Sequence, residues 1–440
     1  MSSACDRGDR GEAAETPNEE SNWDSPGRGP HDAYASLRLA SFRRYVGGNI
    51  LATIASEMQT VAVAWDLYER TRNPLSLGAV GAVQVVPVVG LALFTGHAAD
   101  RFPRMAIMQA SIALQALCSI LLCLGASVRA PIAISYLCLF VSGIALAFSF
   151  PARGAILPQL VPPALFANAV AWRTSFWQLA AVAGPALGGI ALGFWKRPAP
   201  VFALCAFLAV VVIGLWFTVP TRPQIRIVEP MSWASLLSGV RFVRRQPVLL
   251  AAITLDLFAV LLGGATALLP IFAREILEVG PQGFGWLRAA PSVGALGMAL
   301  ALAHRPPLAR AGQALLFAVV VFGVATIGFG LSRSFLLSLL FLIVIGASDN
   351  VSVVVRSTLV QTLTPDSMRG RVAAINSIFV AMSNELGSLE SGIAAWLLGP
   401  VAAIVLGGLG CLGVVGAVAR RWPEVGKLER LDELVPAEAS

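Results

Sequence analysis

Met105-Ala-Ile-Met-Gln-Ala-Ser-Ile-Ala-Leu-Gln-Ala-Leu-Cys-Ser-Ile-Leu-Leu-Cys-Leu-Gly-Ala-Ser127 runs for 23 residues without a charged side chain. A helix of that length crosses roughly 30 Å of hydrocarbon at about 1.5 Å per residue. A barrel strand needs only about 10 residues and alternates apolar with polar ones. The same texture extends outward to Phe42 and Arg421, broken at short intervals by Arg, Pro or Gly. Of 440 residues, 56% are hydrophobic and 13% charged, and mean hydropathy is +0.74. A soluble chain carries about 25% charged residues. In lipid, backbone polar groups are satisfied only within helices or a closed barrel. The pattern therefore predicts an all-α membrane protein.

Twelve spans fit, near 45–68, 75–98, 105–127, 131–152, 168–192, 198–219, 248–271, 283–303, 311–331, 334–356, 372–397 and 400–419. Residues 1–34 are acidic, rich in small residues and poor in large apolar ones, and read as a disordered tail. They lack the basic, apolar and cleavage regions of a removable signal peptide. Residues 421–440 form a second polar tail, in which Leu428, Leu431 and Leu434 suit a short surface helix. With the N-terminus inside, the turns on its side hold 13 arginines against 7 Lys or Arg opposite. That bias predicts both termini in the cytoplasm and a place in the cytoplasmic (inner) membrane. The net charge of +7 then faces anionic membrane lipids, and no nucleic-acid partner is expected.

The chain repeats itself. Arg153, Pro162, Gly184 and Gly189 recur as Arg356, Pro365, Gly387 and Gly392 at an offset of 203. Pro87, Gly90, Arg101 and Pro103 recur as Pro291, Gly294, Arg305 and Pro307 at 204. Two six-helix bundles related by a pseudo-twofold axis are expected, over 35–219 and 248–420, joined by a cytoplasmic linker at 220–247. Within it Trp233, Leu236, Leu237, Val240 and Val243 form an apolar stripe beside Arg241, Arg244 and Arg245, the pattern of an interfacial helix. Two rigid halves can rock about a shared site, which is the geometry of alternating access.

Three motifs carry a family resemblance covering about 42–420. Gly96-His-Ala-Ala-Asp100-Arg101-Phe-Pro-Arg104 lies between the second and third spans. Gly184-Pro185-Ala-Leu-Gly188-Gly189 lies in the fifth. Leu157-Pro-Gln-Leu-Val-Pro162 has its counterpart in Thr364-Pro-Asp366 with Arg369-Gly-Arg-Val372, and Ser383-Asn-Glu-Leu-Gly-Ser-Leu-Glu-Ser-Gly392 follows. Together they resemble the major facilitator superfamily, in its enterobactin-exporter-like (transmembrane secretion effector) branch. The resemblance implies the major facilitator fold. It also implies gating roles for Gly96, Asp100, Arg101 and Arg104, which latch the halves in the family, and for Arg153, Arg356, Gly184, Pro185, Gly188 and Gly189. Pro103 stands where the family pattern has Gly, so a left-handed turn is not expected there. The motif of the fifth span resembles that of antiporters and favours efflux over uptake. Small residues there also let helices approach closely, and Pro185 bends the helix.

Glu57, Asp256, Asp349, Glu385 and Glu390 lie well inside predicted spans. An unpaired acid in hydrocarbon costs several kcal/mol, so each marks a site or a buried partner. Asn350 adjoins Asp349, and Arg288 either neutralises a carboxylate, binds an anionic substrate or snorkels outward. Glu385 and Glu390 are five residues apart, about 140° around a helix, so they face different neighbours. These seven are the candidate substrate or proton-coupling residues. Trp65, Phe272, Trp286 and Trp396 are among the aromatic candidates for cavity walls.

A carboxyl in a poorly solvated chamber takes up a proton more readily than one in water, which suits proton exchange. The expected function is a proton-coupled exporter of a small amphiphilic metabolite, siderophore-like compound or drug. A lysophospholipid or lipid flippase is the alternative, and a transporter-like sensor or assembly protein the alternative of another class. An enzyme is not expected: His31, His97 and His304 form no catalytic constellation. No Walker A motif, CxxC, metal site or cofactor motif appears, and a monomer is the default.

Overall fold

The computed structural model describes residues 32–91, 94–95, 98, 101–220, 233–305 and 310–428. The expected tail at 1–34 lies outside these but for its last three residues, as do Gly96, Asp100 and the first part of the linker. Among the described residues, twelve long helices form a membrane bundle. The first six are α1 Ala40–Thr71, α2 Pro74–Gly90, α3 Arg104–Ser127, α4 Ile132–Ala155, α5 Phe166–Trp195 and α6 Pro198–Phe217. The second six are α7 Pro247–Leu262, α8 Gly280–Ala303, α9 Ala311–Leu331, α10 Phe335–Leu363, α11 Asp366–Leu398 and α12 Pro400–Arg421. Ten segments are long and apolar enough to cross a membrane. The shorter α2 and the Glu57-bearing α1 complete the twelve.

Helix starts follow local chemistry. Pro74, Pro198, Pro247 and Pro400 open their helices, where a missing N–H costs nothing. Asn73 caps α2, its Oδ1 accepting from the Leu75 N–H at 2.9 Å. Between α11 and α12 the chain turns at Gly399, whose φ of +86° suits glycine. Pro103 has φ −56°, so the turn before α3 is not left-handed there.

The packing repeats after six helices. α1 lies on α5 and α6, α2 on α4, and α3 on α4 and α6; α7 lies on α11 and α12, α8 on α10, and α9 on α10 and α12. Across the middle α2 meets α11 and α5 meets α8, a pair that the pseudo-twofold axis exchanges. An even number of crossings puts both chain ends on one face, called here the terminal face; the other is the far face. The halves touch near the far face. A Cβ on Gly189 of α5 would lie 2.6 Å from the Gly285 Cα of α8, and one on Gly392 of α11 would lie 2.5 Å from the Gly78 Cα of α2. Only helices without side chains at the contact approach so closely.

Two expectations need correction. The seventh span is not one helix: α7 ends at Leu262, and the chain continues as a 3₁₀ turn Ala265–Leu268 and a π turn Phe272–Ile276. Gly263 and Gly264 weaken the helix there and let neighbours close in; a Cβ on Gly263 would meet Phe322 at 2.3 Å. The start of the C-terminal tail is also not simply a solvated segment. Pro423–Gly426 is helical, Val425 and Leu428 are buried, and the Gly312 N–H donates to the Leu428 carbonyl at 3.3 Å. Leu431 and Leu434 lie outside the described residues. A helix Trp233–Arg245 packs on α11.

Gly189→Val should force α5 from α8 at a cost of about 1–3 kcal/mol from overpacking. A lower thermal midpoint in detergent is the expected reading. Gly47→Ala, with nothing within 4 Å of the added carbon, should not lower it.

Candidate transport site

The predicted charges fall into two groups. The first lies between the halves. Glu57 stands near the middle of α1 and Glu385 near the middle of α11, while Arg288 enters from α8 about 12 Å below its far-face end. Arg288 is the cation whose field reaches both carboxylates. It closes no hydrogen bond or ion pair among the described residues. Gly184 makes room for Glu57: a Cβ there would lie 2.6 Å from the Glu57 Cβ. Gly188, one turn on, would meet the Met58 backbone at 3.0 Å, so α5 lies tight against α1. Pro185 sits within this stretch of α5.

The second group lies inside the C-terminal half. Asp256 of α7 forms an ion pair with Arg356 of α10 at 2.6 Å, and their side chains are 4% and 5% exposed. The Ser352 hydroxyl donates to Asp256 at 3.3 Å, and Arg356 donates to the Asn376 Oδ1 at 3.4 Å. Asp349 is electrostatically coupled to both members of the pair. The Asn350 Oδ1 is buried without a partner. A cavity of about 10 Å³, room for one water, touches Asp256, Ser348, Asp349 and Ser352. Arg356, expected in gating, is thus tied into a polar core within one half. Glu390 accepts from the neighbouring Ser391 at 3.4 Å.

Sequence reasoning missed a latch at the far face. Arg274 pairs with Glu69 at 2.9 Å, Arg72 with Glu69 at 3.1 Å and with Glu275 at 3.9 Å, and the Tyr68 hydroxyl donates to Glu275. Among the described residues, the ion pairs that join the halves are Arg274–Glu69 and Arg72–Glu275. The signal was present in opposite charges near the ends of spans one and seven, but charge counting took those arginines only as topology markers. A cleft of about 600 Å³ adjoins the latch, touching Trp65, Glu69, Lys196, Arg274 and Gln282.

On the terminal face Arg101 is exposed, and Arg104 donates to the Ala155 carbonyl at the end of α4. The Arg153 carbonyl accepts from Arg173 at 3.0 Å. Of the aromatics read as cavity walls, Trp65 lines the far-face cleft while largely buried, and Phe272 is packed in the core. Trp65 stacks on Phe284 at 5.9 Å and Phe272 on Phe329 at 4.7 Å. Among the described residues no cluster could hold a metal ion.

A twofold helical bundle with charged groups between its halves and a latch at one face is a multi-pass membrane transporter. The sequence profile of the Major Facilitator Superfamily matches residues 46–388, and the chain belongs to that family. It is 25% identical over 394 residues to the enterobactin exporter EntS of Shigella boydii serotype 18 (strain CDC 3083-94 / BS512), covering 88% of this chain and 91% of that one. It is also 25% identical over 185 residues to the staphyloferrin A transporter of Staphylococcus aureus (strain NCTC 8325 / PS 47). That match covers 41% of this chain and 47%, about half, of the relative. Among solved structures, a bacterial homologue of the human lysosomal transporter Spinster, in an inward-facing and occupied conformation, matches with a TM-score of 0.69 and 14% identity. The match covers 90% of this chain and 99% of that one, and it reports on the fold alone.

Two outcomes test this geometry. Asp256→Asn strands a buried guanidinium and should cost about 3–5 kcal/mol, seen as a lower thermal midpoint that adding Arg356→Gln partly restores. Arg274→Ala should loosen the latch and speed thiol labelling of Gln282→Cys from the far side.

Proposed function

We propose that this chain is a proton-coupled exporter of a small amphiphilic metabolite of siderophore-like kind, working by alternating access in the cytoplasmic membrane. The observation that carries the reading is Arg288 of α8, whose field reaches both Glu57 of the first half and Glu385 of the second. The relatives named for enterobactin export and staphyloferrin A transport support the substrate class.

In this reading the terminal face is cytoplasmic and the halves, over 35–219 and 248–420, move as rigid bodies. With the far-face latch closed, substrate enters from the cytoplasm and binds beside Arg288. The halves then rock, the Glu69–Arg274 and Arg72–Glu275 pairs part, and substrate leaves. A proton from the far side neutralises Glu57 or Glu385, and the protonated carrier returns. Asp256, Asp349 and Asn350 form a second polar reserve inside the moving C-terminal half. Arg101, Arg104, Gly96 and Asp100 restrain the cytoplasmic face in the opposite state. The charges between the halves favour a carrier over a sensor.

The test begins with a metabolite comparison of cells with and without the chain. The enriched compound is then offered to proteoliposomes carrying a lumenal pH dye. Substrate movement should change lumenal pH, and Glu57→Gln should reduce the coupled change by about tenfold or more. Equal transport without a proton gradient and without a pH change would end the proton-coupled reading. Movement of lysophospholipid between leaflets in the same vesicles would favour a flippase.

A further inference from the structure

The cleft of about 600 Å³ beside the far-face latch has no part in the mechanism above. It has the size of sites that enclose most of a small ligand, about 300–1,000 Å³. Both halves build it. The first supplies Trp65, Leu192 and Lys196, and the second Arg274, Val279 and Gln282. Where the cleft touches Gly193 of α5 and Gln282 of α8 the halves are in contact, since a Cβ on Gly193 would lie 2.3 Å from the Gln282 Cγ. The cleft therefore keeps this shape only while the ends of α5 and α8 stay together.

Its charges do not cancel. Asp66 pairs with Arg70 at 3.4 Å, and Glu69 with Arg274 at 2.9 Å and Arg72 at 3.1 Å. Glu275 takes Arg72 and the Tyr68 hydroxyl. Asp66, Glu69 and Glu275 thus answer Arg70, Arg72 and Arg274, and Lys196 is left over. Arg197 and Glu278, next in sequence to lining residues, are exposed and of opposite sign, so they leave this balance unchanged. Among the described residues the Lys196 ammonium has no partner, and Arg274 meets only Glu69, through its Nε. A lysine at a helix end also complements the helix dipole, but that role needs neither a cleft nor apolar walls. Here Trp65, Leu192 and Val279 supply such walls. A carboxylate or phosphate head accepts charge-assisted hydrogen bonds from two cations, and apolar walls favour an apolar body behind it.

We propose that this cleft binds a small amphiphilic anion arriving from the far compartment, its head on Lys196 and Arg274, and thereby holds the far face closed. A ligand that touches both halves in one arrangement stabilises that arrangement. The consequence for motion rests on the alternating-access reading, and under it an amphiphilic anion that accumulates outside restrains further opening. The binding itself does not rest on proton coupling.

The full chain, in nanodiscs of phosphatidylcholine, is titrated with phenylbutyrate at fixed ionic strength and followed by calorimetry. Binding should be saturable, and both the neutral phenylbutyramide and the Lys196→Gln variant should bind about tenfold more weakly, the loss of one charge-assisted contact. Lys196 is exposed, so Lys196→Gln should keep the wild-type thermal midpoint. Arg129→Gln, at another exposed cation between α3 and α4, should bind as wild type does. In proteoliposomes an impermeant thiol reagent on the far side reports opening through Thr60→Cys, about one turn from Glu57 towards the far face. Phenylbutyrate on that side should slow this labelling several-fold, and not when Lys196→Gln is added. The proposal is overturned by absent saturable binding, by equal binding of the amide, or by a labelling rate that phenylbutyrate leaves unchanged. Loss of binding in Arg288→Gln but not in Lys196→Gln overturns it too, placing the anion between the halves instead. So does loss of binding in nanodiscs containing phosphatidylglycerol, which assigns the cleft to lipid. Failure of binding leaves the proton-coupled reading standing, whereas a lumenal pH that does not follow the substrate ends that reading and leaves the cleft.

Discussion

Two helices can touch backbone to backbone only where neither carries a Cβ, and the two halves of this carrier meet at such places. Gly189 faces Gly285 between α5 and α8, and Gly78 faces Gly392 between α2 and α11. In lipid no hydrophobic force draws helices together, so such contacts work through dispersion and shape. They are good while closed and lose little on opening, because the separated surfaces can be covered by lipid or solvent without stranding a polar group. The same helix α5 uses Gly184 to admit Glu57 and Gly188 to approach Met58. One run of small residues therefore fixes both the seam between the halves and the place of the carboxylate beside it.

Much of this was legible in the sequence because the bilayer removes choices. Once backbone groups must be satisfied internally, uncharged runs such as 105–127 have one solution, and recurrence of Arg153 as Arg356 and Gly189 as Gly392 implies the twofold bundle. Less legible were features set by three-dimensional neighbours. Hydropathy cannot register the break after α7, because Gly263 and Gly264 are as compatible with an apolar run as any small residue. For Asp256 the sequence left a site and a buried partner equally open, and only the fold brings Arg356, a hundred residues later, into a buried pair with it. The latch between Glu69, Arg72, Arg274 and Glu275 needed both halves folded together before its charges could be matched.

The equivalent positions also explain why duplication need not give two equal sites. A repeated fold copies the backbone, but each half keeps only the side chains its own role demands. In the second half Asp256 neutralises Arg356 from within; in the first the positions at the same offset from Asp256 and Asp349 hold Thr53 and Leu146, and Arg173 donates to the Arg153 carbonyl.

The two kinds of ion pair differ in a way that suits their positions. Asp256 and Arg356 are 4% and 5% exposed and belong to one half, so they travel together and need not separate when the halves rock. Breaking such a pair would leave a bare charge in a poorly solvated core, at several kcal/mol. The pairs that span the halves are wetter: Glu69 and Arg274 are 31% and 40% exposed, and Arg72 and Glu275 are 46% and 47% exposed. Each contributes about 0–1 kcal/mol once solvent screening is counted. Under the proposed mechanism, pairs of that strength are weak enough for a bound passenger to outweigh. Placing strong pairs within halves and weak pairs between them lets the bundle remain intact while it changes state.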